Sequence, residues 1–404
     1  MALLRRLQGE IPLAVSSAML PVTGFRKFVV SVLPGPVHSA LRPWWRRFFR
    51  FKLRVRDWWL PLTGWVVWLV FQCVRHRKRA VIVCRFAGIG DVICTLPMCD
   101  EVRRRHPGKL LVFITSAACR EIVVLSRSAD LVYANKRWVH PLIMPTNIKL
   151  FGLVETIYNP QTAGERVYKG GNALHLIEDL AESCGFIVTA RQPKLYPSPG
   201  LIEKTCIAYG LDSKTIGERL LIGINPGPNW CVREWQASKW QKLINNIHSE
   251  YNAVIIQFGI NTGDGSSEYD HLTGVKSLAS RLRGAEIVAL IASCDLMISI
   301  DSGPVHVAGA VGTPVIGLFG PVDPASRLPP DSPAPALGLC SDVPCLFCFN
   351  RTPVINWLSG CPNDVVCMKE LDDQTVFEAV TSMLPQRFSS HKRNQTRLES
   401  QLPR

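Results

Sequence analysis

Apolar and polar positions alternate in blocks along most of this chain, and the block pattern occurs twice. Ala80–Cys84 is an unbroken apolar run of strand length, and Asp91–Arg105 behind it has helical spacing. Lys109–Thr115 and Ala117–Leu125 repeat the pair as strand and helix. Short apolar runs separated by helices are the pattern of a parallel sheet covered on both faces. The alternation fades between about 136 and 200: turn residues fill 160–171, Leu174–Cys184 predicts a helix, and Gln192–Gly200, with three prolines, reads as a linker. It resumes with strand Leu220–Ile224, helix Ser238–Tyr251, strand Ala253–Phe258, helix Ala285–Cys294, strand Leu296–Ile300, a helix from Pro304 and strand Pro314–Phe319. The expectation is an α/β chain of two Rossmann-like domains facing a cleft, at 80–192 and 220–386, joined by a linker at 193–219. Ligands of such sheets bind beyond the carboxyl ends of the strands.

The arm over 1–79 is different. Of the net charge of +14 over 404 residues, +13 falls in the first 80, which hold 15 Lys and Arg against 2 Asp and Glu. Such an arm seeks an anionic surface, lipid or nucleic acid. Wound as a helix, residues 42–59 put Arg42, Arg46, Arg47, Arg50 and Arg54 on one side. Trp44, Trp45, Phe48, Phe49, Phe51, Val55, Trp58 and Trp59 fall on the other, and Lys52, Leu53 and Arg56 break the pattern. A basic face opposite an aromatic face suits the membrane interface, whereas aromatic platforms for nucleic acid sit on a folded sheet or groove. The expected partner is therefore an anionic membrane surface and not nucleic acid, although an arm packed on the body would share the pattern.

Trp58–Val74 is seventeen uncharged residues interrupted by Pro61 and Gly64, short of the roughly 20 that a span needs. Basic clusters on both flanks oppose a single crossing, so a shallow anchor is expected. Glu10 and Pro12 interrupt the run behind Arg5-Arg6, a poor match to a signal peptide. A polytopic membrane protein is excluded. Residues 387–404 read as a disordered basic tail.

Fourteen cysteines change the picture only near the end. Nine are scattered in apolar runs, as small buried hydrophobes of a reducing compartment are. Cys340, Cys345, Cys348, Cys361 and Cys367 cluster. Cys345, Cys348, Cys361 and Cys367 could make a four-thiolate zinc site; reduced structural thiols and a disulfide are the other readings.

Three constellations sit at predicted strand ends. In Arg85-Phe86-Ala87-Gly88-Ile89-Gly90-Asp91, Gly88 and Gly90 let backbone approach a ligand, and Asp91 falls at a helix start, as a functional carboxylate or an N-cap. Ile93 stands where a dinucleotide fingerprint needs a third glycine, which argues against NAD. Asn225-Pro226-Gly227 leads to Arg233-Glu234-Trp235, where Arg233 can pair with phosphate. Finally, Asp301-Ser302-Gly303-Pro304-Val305-His306 ends a strand and opens a helix. That helix start is an anion site, with Ser302 and His306 four residues apart.

Taken together with Leu318-Phe319-Gly320-Pro321 and Cys367-Met368, these motifs resemble glycosyltransferase family 9, the bacterial ADP-heptose:lipopolysaccharide heptosyltransferase family, over about 80 to 385. The resemblance implies a GT-B fold and inverting transfer without an obligatory metal or cofactor. The donor would be a nucleotide-diphospho-sugar (ADP-heptose-like) and the acceptor a glycolipid such as lipopolysaccharide core. It places the enzyme peripherally on the cytoplasmic face of the bacterial inner membrane. Asp91 matches the family's general base; Arg233, Gly227, Asp301, Ser302, Gly303 and His306 match donor-binding positions. Gln236 follows Trp235 where the family has proline, and the Glu expected beyond Gly259 has only Asp264 and Glu268 as counterparts. The alternative is a membrane-tethered sugar-nucleotide-binding protein without turnover.

Overall fold

A computed structural model describes residues 68–69, 71–135, 152–160, 174–211, 219–227, 231–260, 267–350 and 360–384. The chain divides into two compact units, Met1–Trp68 and Leu69–Arg404, and the elements below belong to the second. The amphipathic 42–59 segment, most of Trp58–Val74, Asp264 and the 387–404 tail lie outside the described residues.

The first sheet is built from β1 (Ala80–Arg85), β2 (Leu110–Ser116), β3 (Leu131–Asn135) and β4 (Val154–Tyr158), in the order β3-β2-β1-β4, all parallel. β1 is buried at every position, as expected of a strand covered on both faces. Helices α1 (Ile89–Arg105) and α2 (Arg120–Ser126) connect these strands, and α3 (Leu176–Glu182) packs on α1.

The second sheet runs β10-β9-β8-β5-β6-β7, again all parallel: β5 (Leu220–Asn225), β6 (Ala253–Gln257), β7 (Lys276–Ser277), β8 (Leu296–Ile300), β9 (Val315–Leu318) and β10 (Ala336–Leu339). Its helices are α5 (Ala237–Glu250), α6 (Gly284–Ser293), α7 (Gly303–Val311), α8 (Val366–Lys369) and α9 (Asp373–Met383). α7 carries Pro304 in its first turn and stops at Gly312, whose φ of 81° is the left-handed cap that terminates helices. One core lies under α5 and α9 around the edge-to-face pair Trp235–Trp240. The other runs from the first sheet through α6 and α7.

The stretch expected as a linker holds a helix, α4 (Pro199–Ala208), packed on α6. Ser198 caps it, accepting from Leu201 N–H at 3.2 Å, with Pro199 in the first turn. The segment is tied to both domains: Leu195 N–H donates to Ala310 O and Tyr196 N–H to Leu125 O, each at 2.9 Å.

Candidate active site at two facing helix N-termini

Strand order reverses between β1 and β4 in the first sheet and between β5 and β8 in the second. A crevice opens at such switch points on the carboxyl side of the strands. The Gly88–Asp91 loop follows β1, and the register of β5 on β8 sets Asn225 beside Ser299. Asn225 Nδ2 donates to Ser299 Oγ at 3.2 Å and to Ser302 Oγ at 2.7 Å, bracing the loop that opens α7. Gly259 shares this floor at φ 121°. A β-carbon there would come within 2.9 Å of Gly227 O and 3.1 Å of Asn225 Oδ1, so only glycine fits.

The start of α7 meets the start of α1. A β-carbon on Gly303 would lie 3.3 Å from Ile89 Cβ and 3.6 Å from Gly90 N. Neither Gly88 nor Ser302, the residues at the two N-cap positions, gives its helix a side-chain cap. Two helix N-termini therefore approach each other, each carrying about half a positive charge, an arrangement that repels itself until an anion sits between the ends. α7's first turn is less generous than its sequence suggests: Pro304 has no N–H and Val305 N–H donates to Ser302 O at 3.2 Å. A cleft of about 330 Å³ opens beside this joint, lined by Gly88, Ile89, Asn225, Ser302 and Gly303 together with Phe258, Gly259, Leu278 and Leu282. Its helix starts and polar groups suit phosphate, and its apolar side chains suit a planar ring.

Asp91 is not the N-cap of α1; Gly88 is, and Asp91 sits in the first turn. Its Oδ1 accepts from Arg85 Nη2 at 2.7 Å, and Arg85 Nη1 donates to Pro160 O at 2.8 Å. A β-carbon at Gly88 would lie 3.5 Å from the other oxygen, Oδ2, which thus faces the glycine lining the cleft. The Asp91 side chain is 33% exposed, so substrate can reach it.

Arg233 closes a short 3-10 turn, Cys231–Arg233. Its Nε lies 3.3 Å from Asp301 Oδ2, and its Nη1 donates to Asp301 O at 3.3 Å. Burial pushes the guanidinium below its ordinary pKa, and Asp301 opposes the shift. Asp301 therefore holds Arg233 rather than offering a free carboxylate to the cleft. Arg327, which no motif singled out, adds positive field at both Arg233 and His306.

His306 departs from its expected place. Four-residue spacing from Ser302 does not aim it into the cleft, because Ser302 is extended and outside the helix. The ring is buried against α1 of the other domain, where Cys94 Sγ lies 3.4 Å from Nδ1. A β-carbon at Gly90 would come within 2.6 Å of its Cδ2. Burial pushes the imidazole down to about 4 and the Cys94 thiol well up. Both groups are neutral at pH 7, and a single hydrogen between Sγ and Nδ1 joins them. Glu268 begins a 3-10 turn, Glu268–His271, and does not line the cleft.

Cys345, Cys348, Cys361 and Cys367 lie within electrostatic reach of one another, and Cys367 packs against Gly320. Phe347 N–H donates to Gly320 O at 3.1 Å, a β-carbon on Gly320 would strike Cys367 Sγ at 2.7 Å, and Asp364 N–H returns the chain to Cys361 O. Among the described residues no group of three or more His, Cys, Asp or Glu is arranged to hold a metal ion. The described cysteines are free thiols.

Two doubly wound parallel sheets whose helix starts face across a crevice define a GT-B glycosyltransferase fold. Residues 186–356 match the model of glycosyltransferase family 9 (heptosyltransferase). The chain is 30% identical over 118 residues to lipopolysaccharide heptosyltransferase 3 of Escherichia coli, covering 28% of this chain and 34% of that one. It is 25% identical over 315 residues to lipopolysaccharide heptosyltransferase 1 of Pseudomonas aeruginosa, covering 67% and 86%. Several other curated relatives are matched over a third to a half of their length. In fold it is similar to E. coli ADP-heptose lipopolysaccharide heptosyltransferase II, with a TM-score of 0.53 at 17% identity, over 76% of this chain and 98% of that one.

Proposed function

We propose that this protein is an inverting glycosyltransferase that moves a heptose from an ADP-heptose-like donor to a hydroxyl of a glycolipid such as lipopolysaccharide core. It would work peripherally on the cytoplasmic face of the bacterial inner membrane. The observation that carries the reading is the meeting of two uncapped helix N-termini beside Arg233, an anion site on the wall of a ring-sized cleft. A nucleoside diphosphate has that shape and charge. The heptosyltransferase relatives support the choice of sugar.

In this reading, residues 220–386 hold the donor and 80–192 the acceptor. Asp91 Oδ2 takes the acceptor hydroxyl proton while that oxygen bonds to the anomeric carbon and the carbon–phosphate-oxygen bond breaks. Arg85 fixes the carboxylate through Oδ1. The charge growing on the departing diphosphate meets the first turns of α1 and α7, and Arg233. His306 orients α7 against α1 and does not touch the donor. The Cys345, Cys348, Cys361 and Cys367 thiols serve as reduced packing groups and hold no zinc.

A second reading, a sugar-nucleotide-binding protein without turnover, rests on Asp91 Oδ1 being engaged by Arg85 and on Gln236 after Trp235. A screen of nucleotide-sugars with lipid-extract acceptor, read by nucleoside-diphosphate release, separates the two. Release with one donor supports transfer; donor binding without release supports the second reading.

A further inference from the structure

A short helix at 71–76 precedes β1 of the first domain. Leu69 and Cys73 are buried at 1% and 2% exposure and fasten it to the body. Cys73 Sγ–H reaches Leu153 O at 3.9 Å, and Lys78 N–H donates to Cys73 O at 3.1 Å. The opposite side carries Phe71 and Val74, exposed at 59% and 66%. Val74 is followed by Arg75, His76, Arg77, Lys78 and Arg79, every one of them exposed. Of these, Arg79 approaches Glu155 at 3.8 Å.

Two large apolar side chains beside four cations, on a helix riveted from behind, form a rigid amphipathic ledge. We infer that this ledge is a membrane-docking surface whose occupant is the headgroup and upper acyl region of an anionic phospholipid bilayer. Charge complementarity carries the choice. A soluble apolar partner would not need four adjacent cations, and a purely polyanionic partner would not need Phe71 and Val74. The inference rests on the proposed glycolipid acceptor only for its purpose; the ledge stands on its own residues.

Its position has a consequence for the enzyme. Arg79 precedes β1 and Lys109 precedes β2, so the ledge lies at the amino edge of the first sheet. The cleft opens at the carboxyl edge, about 20 Å away along a six-residue strand. Docking by the ledge leaves the cleft unobstructed and fixes the tilt of the first domain on the bilayer, which the sequence of the arm alone does not do.

The test uses the full-length chain and co-sedimentation with vesicles of phosphatidylcholine alone or with 30% phosphatidylglycerol. Arg75→Gln/Arg77→Gln/Lys78→Gln should weaken binding to the anionic vesicles by about a hundredfold at low salt, since each cation near such a surface contributes about a factor of five. Binding to neutral vesicles should be unchanged. Phe71→Gln/Val74→Gln should weaken binding to both and leave the salt dependence of the anionic case intact. Wild-type vesicle binding by both variants overturns the proposal, whether a second segment of the chain covers the ledge or another surface binds. A dimer in the absence of vesicles that Phe71→Gln/Val74→Gln dissociates also overturns it, by making a second copy the occupant. The expected pattern in a protein that releases no nucleoside diphosphate from any donor would sink the transferase reading and leave the ledge standing.

Discussion

Gly90→Ala tests the joint between the domains with a single methyl group. The new carbon would lie 2.6 Å from His306 Cδ2 and 3.2 Å from Nε2, about 1 Å inside ordinary contact. The ring has little room to retreat, because it is 6% exposed and its Nδ1 is held by Cys94 at 3.4 Å. Overpacking of this kind costs about 1–3 kcal/mol, against about 1 kcal/mol gained by replacing glycine in a helix. A net loss of up to about 2 kcal/mol is expected. The cheapest relief is to move α1 away from α7, which takes Asp91 away from the bound donor. A misplacement of about 1 Å at reacting groups costs on the order of a hundredfold in rate. Thermal unfolding and nucleoside-diphosphate release should therefore show a modest fall in Tm and a large fall in kcat/KM. Adding His306→Ala, which vacates the contested space, should restore part of the Tm. Wild-type stability and turnover in Gly90→Ala would mean that α1 and α7 do not meet as described.

Four further outcomes follow from the same geometry. Asp91→Asn keeps an oxygen for Arg85 but removes the charge opposite that buried guanidinium, so Tm should fall modestly while turnover falls about 10²–10⁴-fold; equal turnover would remove Asp91 from proton transfer. Arg233→Gln leaves the Asp301 carboxylate buried without its cation and should cost about 3–5 kcal/mol. Arg233→Gln/Asp301→Asn should regain most of that stability without regaining donor affinity, and restored affinity would contradict the phosphate role. His175 and His306 are both held by burial at about 4, so the unfolded chain takes up protons first as pH falls below about 6.5. Stability present at pH 7 should drain away between about 6.5 and 4, by up to about 3 kcal/mol per histidine, and His306→Gln should flatten the slope. Protein purified without chelator should carry far less than one zinc per chain, with the Cys345 group reactive to thiol reagents; stoichiometric zinc would correct the thiol reading.

The central strands were legible because each is a continuous apolar run buried on both faces, as in AVIVCR of β1 and LMISI of β8. β3 and β4 were not, and they are the two edges of their sheet. Half-exposed VETIY mixes polar with apolar residues and carries no distinct period. α4 was hidden by composition: Pro197, Pro199 and Gly200 read as a joint, although Ser198 followed by Pro199 is also a helix-start signal. In the site, local order along the chain found Gly88, Ser302 and Gly303 at the cleft and Arg233 beside it. It did not find Arg85 on Asp91 or Cys94 on His306, contacts six and 212 residues apart. Nor did it show that Asp301 is committed to Arg233. Sequence spacing places residues on one element, whereas these partners are chosen by the packing of one element on another.

The claim at the centre is that two helix starts and Arg233 hold the diphosphate of a sugar donor for transfer. Titrating the wild-type chain and Arg233→Gln/Asp301→Asn with ADP and with adenosine, by calorimetry, tests it most directly. The account predicts that wild type binds ADP far more tightly than adenosine, and that the double variant loses most of that difference while keeping its affinity for adenosine. Equal affinity of wild type for ADP and adenosine would contradict it.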